Sequence, residues 1–153
     1  MSADFDPPPS VVRESAARAL AEDLGMLGDL TSIAVVAEEA VGTGNFMARK
    51  DGVLAGTAVA TEVFQQLDPH VDLVWEVHDG EEIHEAQCLG RVSGHLRSIL
   101  AGERSALNFL QHCSGVASLT RRYVRAARGG ARIRDTRKTL PGLRGLEKAA
   151  VRA

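Results

Sequence analysis

Residues 129–144 read GGARIRDTRKTLPGLR. Gly129-Gly130 breaks a preceding helix, Ile133 anchors a short strand, and Pro141-Gly142 opens a last helix towards Val151. The strand delivers Arg137 and Lys138, flanked by Thr136 and Thr139, into the turn before that helix. Alternation along a strand predicts that the two cations point to opposite faces at its C-terminal end. In α/β units ligands bind at the carboxyl ends of strands. An Arg there grips a carboxylate or phosphate through paired hydrogen bonds, a Lys adds a mobile point charge, and Thr hydroxyls donate to phosphate oxygens. Position and composition leave two readings open, an anion site or a surface cluster of salt bridges.

Upstream, the pattern alternates between the two periods. Ser10 is placed to cap a helix to Leu24, with Val12, Ala16, Ala19, Leu20 and Leu24 on one stripe and Gly25 at its C-terminus. Residues 28–32, GDLTS, read as a loop. Residues 41–48 read as a strand, with Gly42 and Gly44 suggesting a bulge or twist. Residues 52–56 read as a short strand or loop and 57–67 as a helix stopped by Asp68-Pro69. Residues 71–78 are the cleanest strand, with Val71, Leu73, Trp75 and Val77 on one face. Residues 89–99 contain one or two strands broken by Gly90 and Gly94, and residues 103–127 a long helical region that Gly115 divides. Helix, strands with one inserted helix, long helices and an unfinished α/β unit make an α+β chain.

Length and composition bound the rest. The chain has 153 residues, 44% hydrophobic and 25% charged, enough apolar material for a real core and too much for a disordered polymer. Aromatics are 4%, so Ala, Val and Leu are expected to build that core. No run approaches the ~18 apolar residues of a membrane span, and residues 1–10 lack a signal-peptide pattern. Cys88 and Cys113 form no CxxC pair and are expected to be buried thiols, not a disulfide. His70, His78, His84, His95 and His112 show no ligand spacing, so no metal ligand is assigned.

Charge is unevenly divided. Residues 1–120 hold 7 basic and 18 acidic side chains, and residues 121–153 hold 11 basic and 2 acidic. That asymmetry points to an anionic ligand at the basic end. Arg121, Arg122, Arg125 and Arg128 lack the aromatic interleaving of a nucleic-acid surface beyond Tyr123, which favours a basic rim around an anion site. Arg104 falls at the start of the long helical region, where a cation opposes the helix dipole unless its side chain is wanted elsewhere, and the plainer reading is an exposed charge.

Six ordered motifs carry a resemblance. Glu103-Arg104-Ser105-Ala106-Leu107-Asn108, Gln111 with Ser114-Gly115, the Asp135-to-Arg144 segment, Glu147-Lys148, Gly28-Asp29-Leu30-Thr31-Ser32 and Asp51-Gly52-Val53-Leu54-Ala55-Gly56 resemble those of quinolinate phosphoribosyltransferases. The resemblance implies an α/β-hammerhead N-terminal domain (residues 10–128, after a disordered tail 1–9), followed by the first β-α unit of an α/β barrel (residues 129–153). It implies a cytoplasmic glycosyltransferase of NAD biosynthesis that forms nicotinate mononucleotide, carbon dioxide and pyrophosphate from quinolinate and phosphoribosyl pyrophosphate. It also implies a homodimer with shared sites and no nucleic-acid or membrane partner. Matched residue by residue, Arg104 is the arginine that reaches into the partner's barrel. Thr136, Arg137 and Lys138 form the substrate-binding segment, with Lys138 also catalytic.

The family pattern continues with a glycine-rich turn, an Asn-His-Arg segment and the acids that serve magnesium, all expected beyond Ala153. The chain therefore reads as an N-terminal part of such an enzyme, inactive alone and with residues 131–153 poorly anchored. A non-catalytic module that dimerises or binds a small acid is the alternative reading.

Overall fold

The computed structural model describes residues 7–153, so most of the tail expected at 1–9 lies outside the described residues. Helix α1 spans Pro9–Leu24 and α2 Leu30–Val35. Strand β1 (Val41–Met47) and the short β2 (Gly52–Val53) precede helix α3 (Thr57–Leu67). Strands β3 (Asp72–Trp75), β4 (Glu82–Ile83) and β5 (Cys88–His95) follow, then helices α4 (Leu96–Ala127) and α5 (Arg144–Arg152). An antiparallel sheet in the order β1-β5-β3 and a β2-β4 ribbon pack against the helices.

The core centres on α3, where Val59, Ala60, Val63 and Phe64 are buried against α4 and α1. Gly102 lies inside α4, where glycine costs a helix about 1 kcal/mol. A Cβ there would sit 2.8 Å from the Phe64 ring, so the residue exists to let the two helices close on that ring. The few aromatics do more than their number suggested. Phe46 lies 6.3 Å from Phe64, edge to face, and 5.1 Å from Trp75, so three rings join sheet and helix. The Trp75 indole donates to the Thr61 hydroxyl at 2.9 Å, pinning β3 to α3.

Several expectations need correcting. Helix α1 begins at Pro9 with Pro8 before it, so proline's fixed φ opens the helix and Ser10 is not its cap. GDLTS is not a plain loop. Asp29 caps α2 by accepting from the Ser32 amide at 3.1 Å and from its hydroxyl. Arg97 closes that helix's other end, donating to the carbonyls of Val36 and Ile33. Gly90 does not break β5. Trp75 crosses it so closely that a Cβ would meet the ring at 2.8 Å. The bulge falls at Phe46/Met47 instead of at Gly42 or Gly44.

Residues 96–99 belong to α4, which runs unbroken through Gly115 because Cys113 and Ala117 on either side are buried. No strand is described between residues 128 and 143, so Ile133 anchors none, and Arg137 and Lys138 do not stand at a strand's end. Residues 131–153, expected to be poorly anchored, are tied to the core at their C-terminal end, where α5 buries Leu146 and Ala150. Both cysteines are free, and only Cys113 is fully buried, its thiol pushed up to about 12 by burial.

Asp68, beyond the end of α3, ties three elements together. It accepts from the His95 ring (2.9 Å), the His70 amide (2.9 Å) and ring (3.1 Å), and the Ser98 hydroxyl (3.0 Å). The His95 hydrogen bond, followed by the His70 amide, holds its carboxyl well below the usual range. A carboxyl so depressed stabilises the fold fully above the unfolded value near pH 4 and loses that contribution as pH falls towards the folded one. Asp68→Asn is therefore expected to lower the melting temperature at neutral pH, the gap to wild type closing as pH falls below about 4. Thermal unfolding across pH checks this, and a pH-independent gap would contradict it.

Candidate active site

Arg104 is not at a helix start. It lies well inside α4, so its expected conflict with the helix dipole does not arise. Nor is it without a local partner, since its Nη1 contacts Asp23 Oδ1 of α1 at 2.6 Å. That hydrogen bond and charge, with smaller contributions from Asp29 and Glu103, raise its pKa. The Arg104 side chain is 73% exposed against 18% for Asp23, so the guanidinium sits in solvent on a fixed carboxylate. An exposed pair of this kind holds its charges loosely and exchanges one carboxylate for another at little cost.

Beside it a groove of about 680 Å³ runs between α1 and α4, lined among others by Asp23, Arg104, Asn108 and His112, and closed by Pro141 and Leu143. Thr136, Arg137 and Lys138 do not line it. Arg104 and the Thr136–Lys138 segment of one chain thus do not share that groove.

That segment is exposed and irregular, shaped by its own side chains. The Thr136 hydroxyl accepts from the Lys138 amide at 3.1 Å, leaving its proton to donate outward. Arg144 reaches back to the Thr139 hydroxyl (3.4 Å) and the Arg137 carbonyl (3.3 Å). Asp135 takes up Lys148 (2.6 Å) and Arg152 (3.5 Å), and the Lys148 contact chiefly lowers its pKa. Among the described residues, no hydrogen bond or ion pair engages the side chains of Arg137 and Lys138. Two adjacent cations without an internal counter-charge are what an external anion needs.

Two of the other basic residues are paired internally. Arg121 and Arg125 both reach Glu82 of β4, so they serve the chain's own surface. Sequence reasoning missed the contacts that hold the site's turn. His112 Nε2 lies 2.9 Å from Glu147 Oε1, the same oxygen accepts from the Leu140 amide at 3.4 Å, and Arg18 donates to the Gly142 carbonyl at 2.9 Å. The only readable sign was Glu147 in a first helical turn, where an acid is favoured.

Among the described residues no three His, Cys, Asp or Glu side chains converge as a cation site. No helix among them is long and apolar enough to cross a membrane.

Residues 29–114 match the model of the quinolinate phosphoribosyl transferase N-terminal domain, and residues 116–153 that of the C-terminal domain. The chain belongs to the quinolinate phosphoribosyltransferase family. It is 41% identical over 133 residues to quinolinate phosphoribosyltransferase [decarboxylating] 1b of Nicotiana tabacum, covering 87% of this chain and 38% of that protein. A probable nicotinate-nucleotide pyrophosphorylase [carboxylating] of Bacillus subtilis is also 41% identical, over 86% of this chain and 45% of its own length.

Among solved structures, the nicotinate-nucleotide pyrophosphorylase of Francisella tularensis superposes with a TM-score of 0.88 at 35% identity, over 95% of this chain and 52% of that one. NadC of Streptococcus pyogenes gives 0.89 at 37% identity, over 94% and 51%. The mixed α and β fold is therefore that of the quinolinate phosphoribosyltransferases, and the chain spans about two-fifths to half the length of these relatives.

Because the Arg104 guanidinium of this pair lies in solvent, Asp23→Asn is expected to lower the melting temperature only slightly, and the difference to vanish in about 1 M salt. Thermal unfolding with and without salt measures it. A large, salt-independent loss would mean that Arg104 is structurally committed to Asp23.

Proposed function

We propose that this chain works as part of a transferase that joins quinolinate to the ribose of phosphoribosyl pyrophosphate, releasing pyrophosphate and carbon dioxide and yielding nicotinate mononucleotide for NAD biosynthesis. Residues 10–128 are read as a hammerhead domain and residues 129–153 as the opening of an α/β barrel, in a cytoplasmic homodimer. The observation that carries the reading is the pair of uncompensated cations, Arg137 and Lys138, in a segment that matches the family's C-terminal domain.

The chemistry fits the side chains. Quinolinate bears two carboxylates, and bringing it against a phosphosugar requires several cations to offset repulsion. Arg137 grips one carboxylate, and Arg104 of a partner subunit exchanges Asp23 for the other. Thr136 donates its hydroxyl proton to an anionic oxygen. Lys138 lies against the charge of the phosphosugar and is the residue of this chain assigned to catalysis. Glycosyl transfer passes through an oxocarbenium-like centre, so positioning and neutralisation of the leaving group supply most of the rate. Magnesium accompanies phosphoribosyl pyrophosphate in this reading. The described residues do not assemble a site for it.

Complementation tests the shared site. In the whole enzyme, Arg104→Ala and Lys138→Ala are each expected to abolish formation of nicotinate mononucleotide. Random subunit exchange between the two variants makes half the dimers mixed, each with one intact site, restoring about a quarter of wild-type activity. No recovery after confirmed exchange would show that Arg104 does not act in the partner's site.

A further inference from the structure

The Thr136–Lys138 segment has no sheet ladder to hold it, yet an anion site needs its cations held to within about 0.5 Å. Lys148 holds Asp135 before the segment and Arg144 takes the Arg137 carbonyl within it, and beyond it lies the turn at 140–143, which two contacts from the helices fix. Arg18 of α1 holds the Gly142 carbonyl at 2.9 Å. Glu147 of α5 bridges the Leu140 amide and the His112 ring with a single oxygen. The Glu147 side chain is 13% exposed and that of His112 33%, so the bridge is largely withdrawn from water, where a hydrogen bond to a charged group counts for more than at the surface.

His112 donates to the carboxylate that accepts from the turn. Without that donor the Glu147 carboxylate is free to rotate away from Leu140, whose 3.4 Å contact is the weaker of the two.

We propose that His112 is a positioning residue: acting through Glu147, it fixes the 140–143 turn and thereby the Arg137 and Lys138 cations, raising affinity for a dianionic substrate that it never touches. This rests on the reading of Arg137 and Lys138 as the substrate's cations. It assigns the rear of the site to α4, the helix that also carries Arg104, so one element supplies a clamp to one site and support to another.

The test compares His112→Leu, which keeps volume and loses the donor, with His112→Gln, which keeps a nitrogen donor at similar reach. The whole enzyme is used, with quinolinate as probe. His112→Leu is expected to weaken quinolinate binding about tenfold by calorimetry and to speed amide exchange at Leu140 by a similar factor. It should leave kcat at saturation within about twofold, with His112→Gln recovering most of both losses.

Unchanged binding and exchange in a folded His112→Leu would overturn the proposal. A collapse of kcat at unchanged affinity would also overturn it, by placing His112 at the reacting atoms. Should His112→Leu not fold, Glu147→Gln, which retains the acceptor without its charge, is expected to show the same two losses in smaller measure, and their absence would be equally decisive. If wild type itself binds no quinolinate, the functional reading fails, while exchange at Leu140 still decides whether His112 holds the turn.

Discussion

The closure of α3 on α4 through the Phe64 ring and the bare backbone of Gly102 is the contact on which the other elements depend. Phe64 carries the sheet through Phe46 and Trp75, and α3 carries α1 on its other side. The far end of α3 is closed by Asp68, which ties it to β5 and the start of α4. Its near end has no cap of its own. Asp79 supplies one from the loop after β3, accepting from the Gly56 and Thr57 amides at 2.9 and 3.1 Å. A helix capped by a distant loop and clamped by a histidine-bearing strand fixes α4 in turn, and α4 carries Arg104 and His112.

That platform explains how charge is distributed. At about 1.5 Å per residue α4 is about 48 Å long; Arg104 lies in its first third, while the 128–143 segment follows its end and returns at Pro141 and Leu143 to the groove beside Arg104. The acids nearest the cations are few and already engaged: Glu82 with Arg121 and Arg125, Asp135 with Lys148 and Arg152, Glu147 with His112. Arg137 and Lys138 are left over, as are Arg122, Arg128, Arg132 and Arg134 among the described residues. An arrangement in which every nearby acid is assigned elsewhere is how an exposed segment keeps cations available for a ligand while the chain as a whole stays slightly acidic.

Much of this was legible. The 57–67 helix follows from the spacing of Val59, Val63 and Phe64 and is observed at those bounds. Strand β1, the face alternation around Trp75 and the helix after Pro141-Gly142 also follow from local pattern. What was misread depends on distant partners. Residues 96–99 read as a continuation of the strand before them, but the Leu96 amide donates to the Ala40 carbonyl and the helix starts there. Gly90 and Gly115 read as breaks because their neighbours in space, Trp75 over one and the buried Cys113 and Ala117 beside the other, are invisible in a linear pattern. The cations at 137 and 138 were found by composition, by their place before the Pro141-Gly142 turn and by the family resemblance. The strand meant to carry them was not, because a strand needs a neighbour to pair with and none is described there. Asp23, the counter-charge of Arg104, lies 81 positions away and had no local sign.

The central claim is that Arg104 and the Thr136–Lys138 segment, separate within one chain, meet across two. The most direct measurement is a crystal structure of the whole enzyme with quinolinate bound. The account predicts one carboxylate held by Arg137 and the other by Arg104 of the partner subunit, with Asp23 released from its ion pair. Quinolinate held by Arg104 and Arg137 of the same chain, or bound with every Arg104 still on its own Asp23, would contradict it.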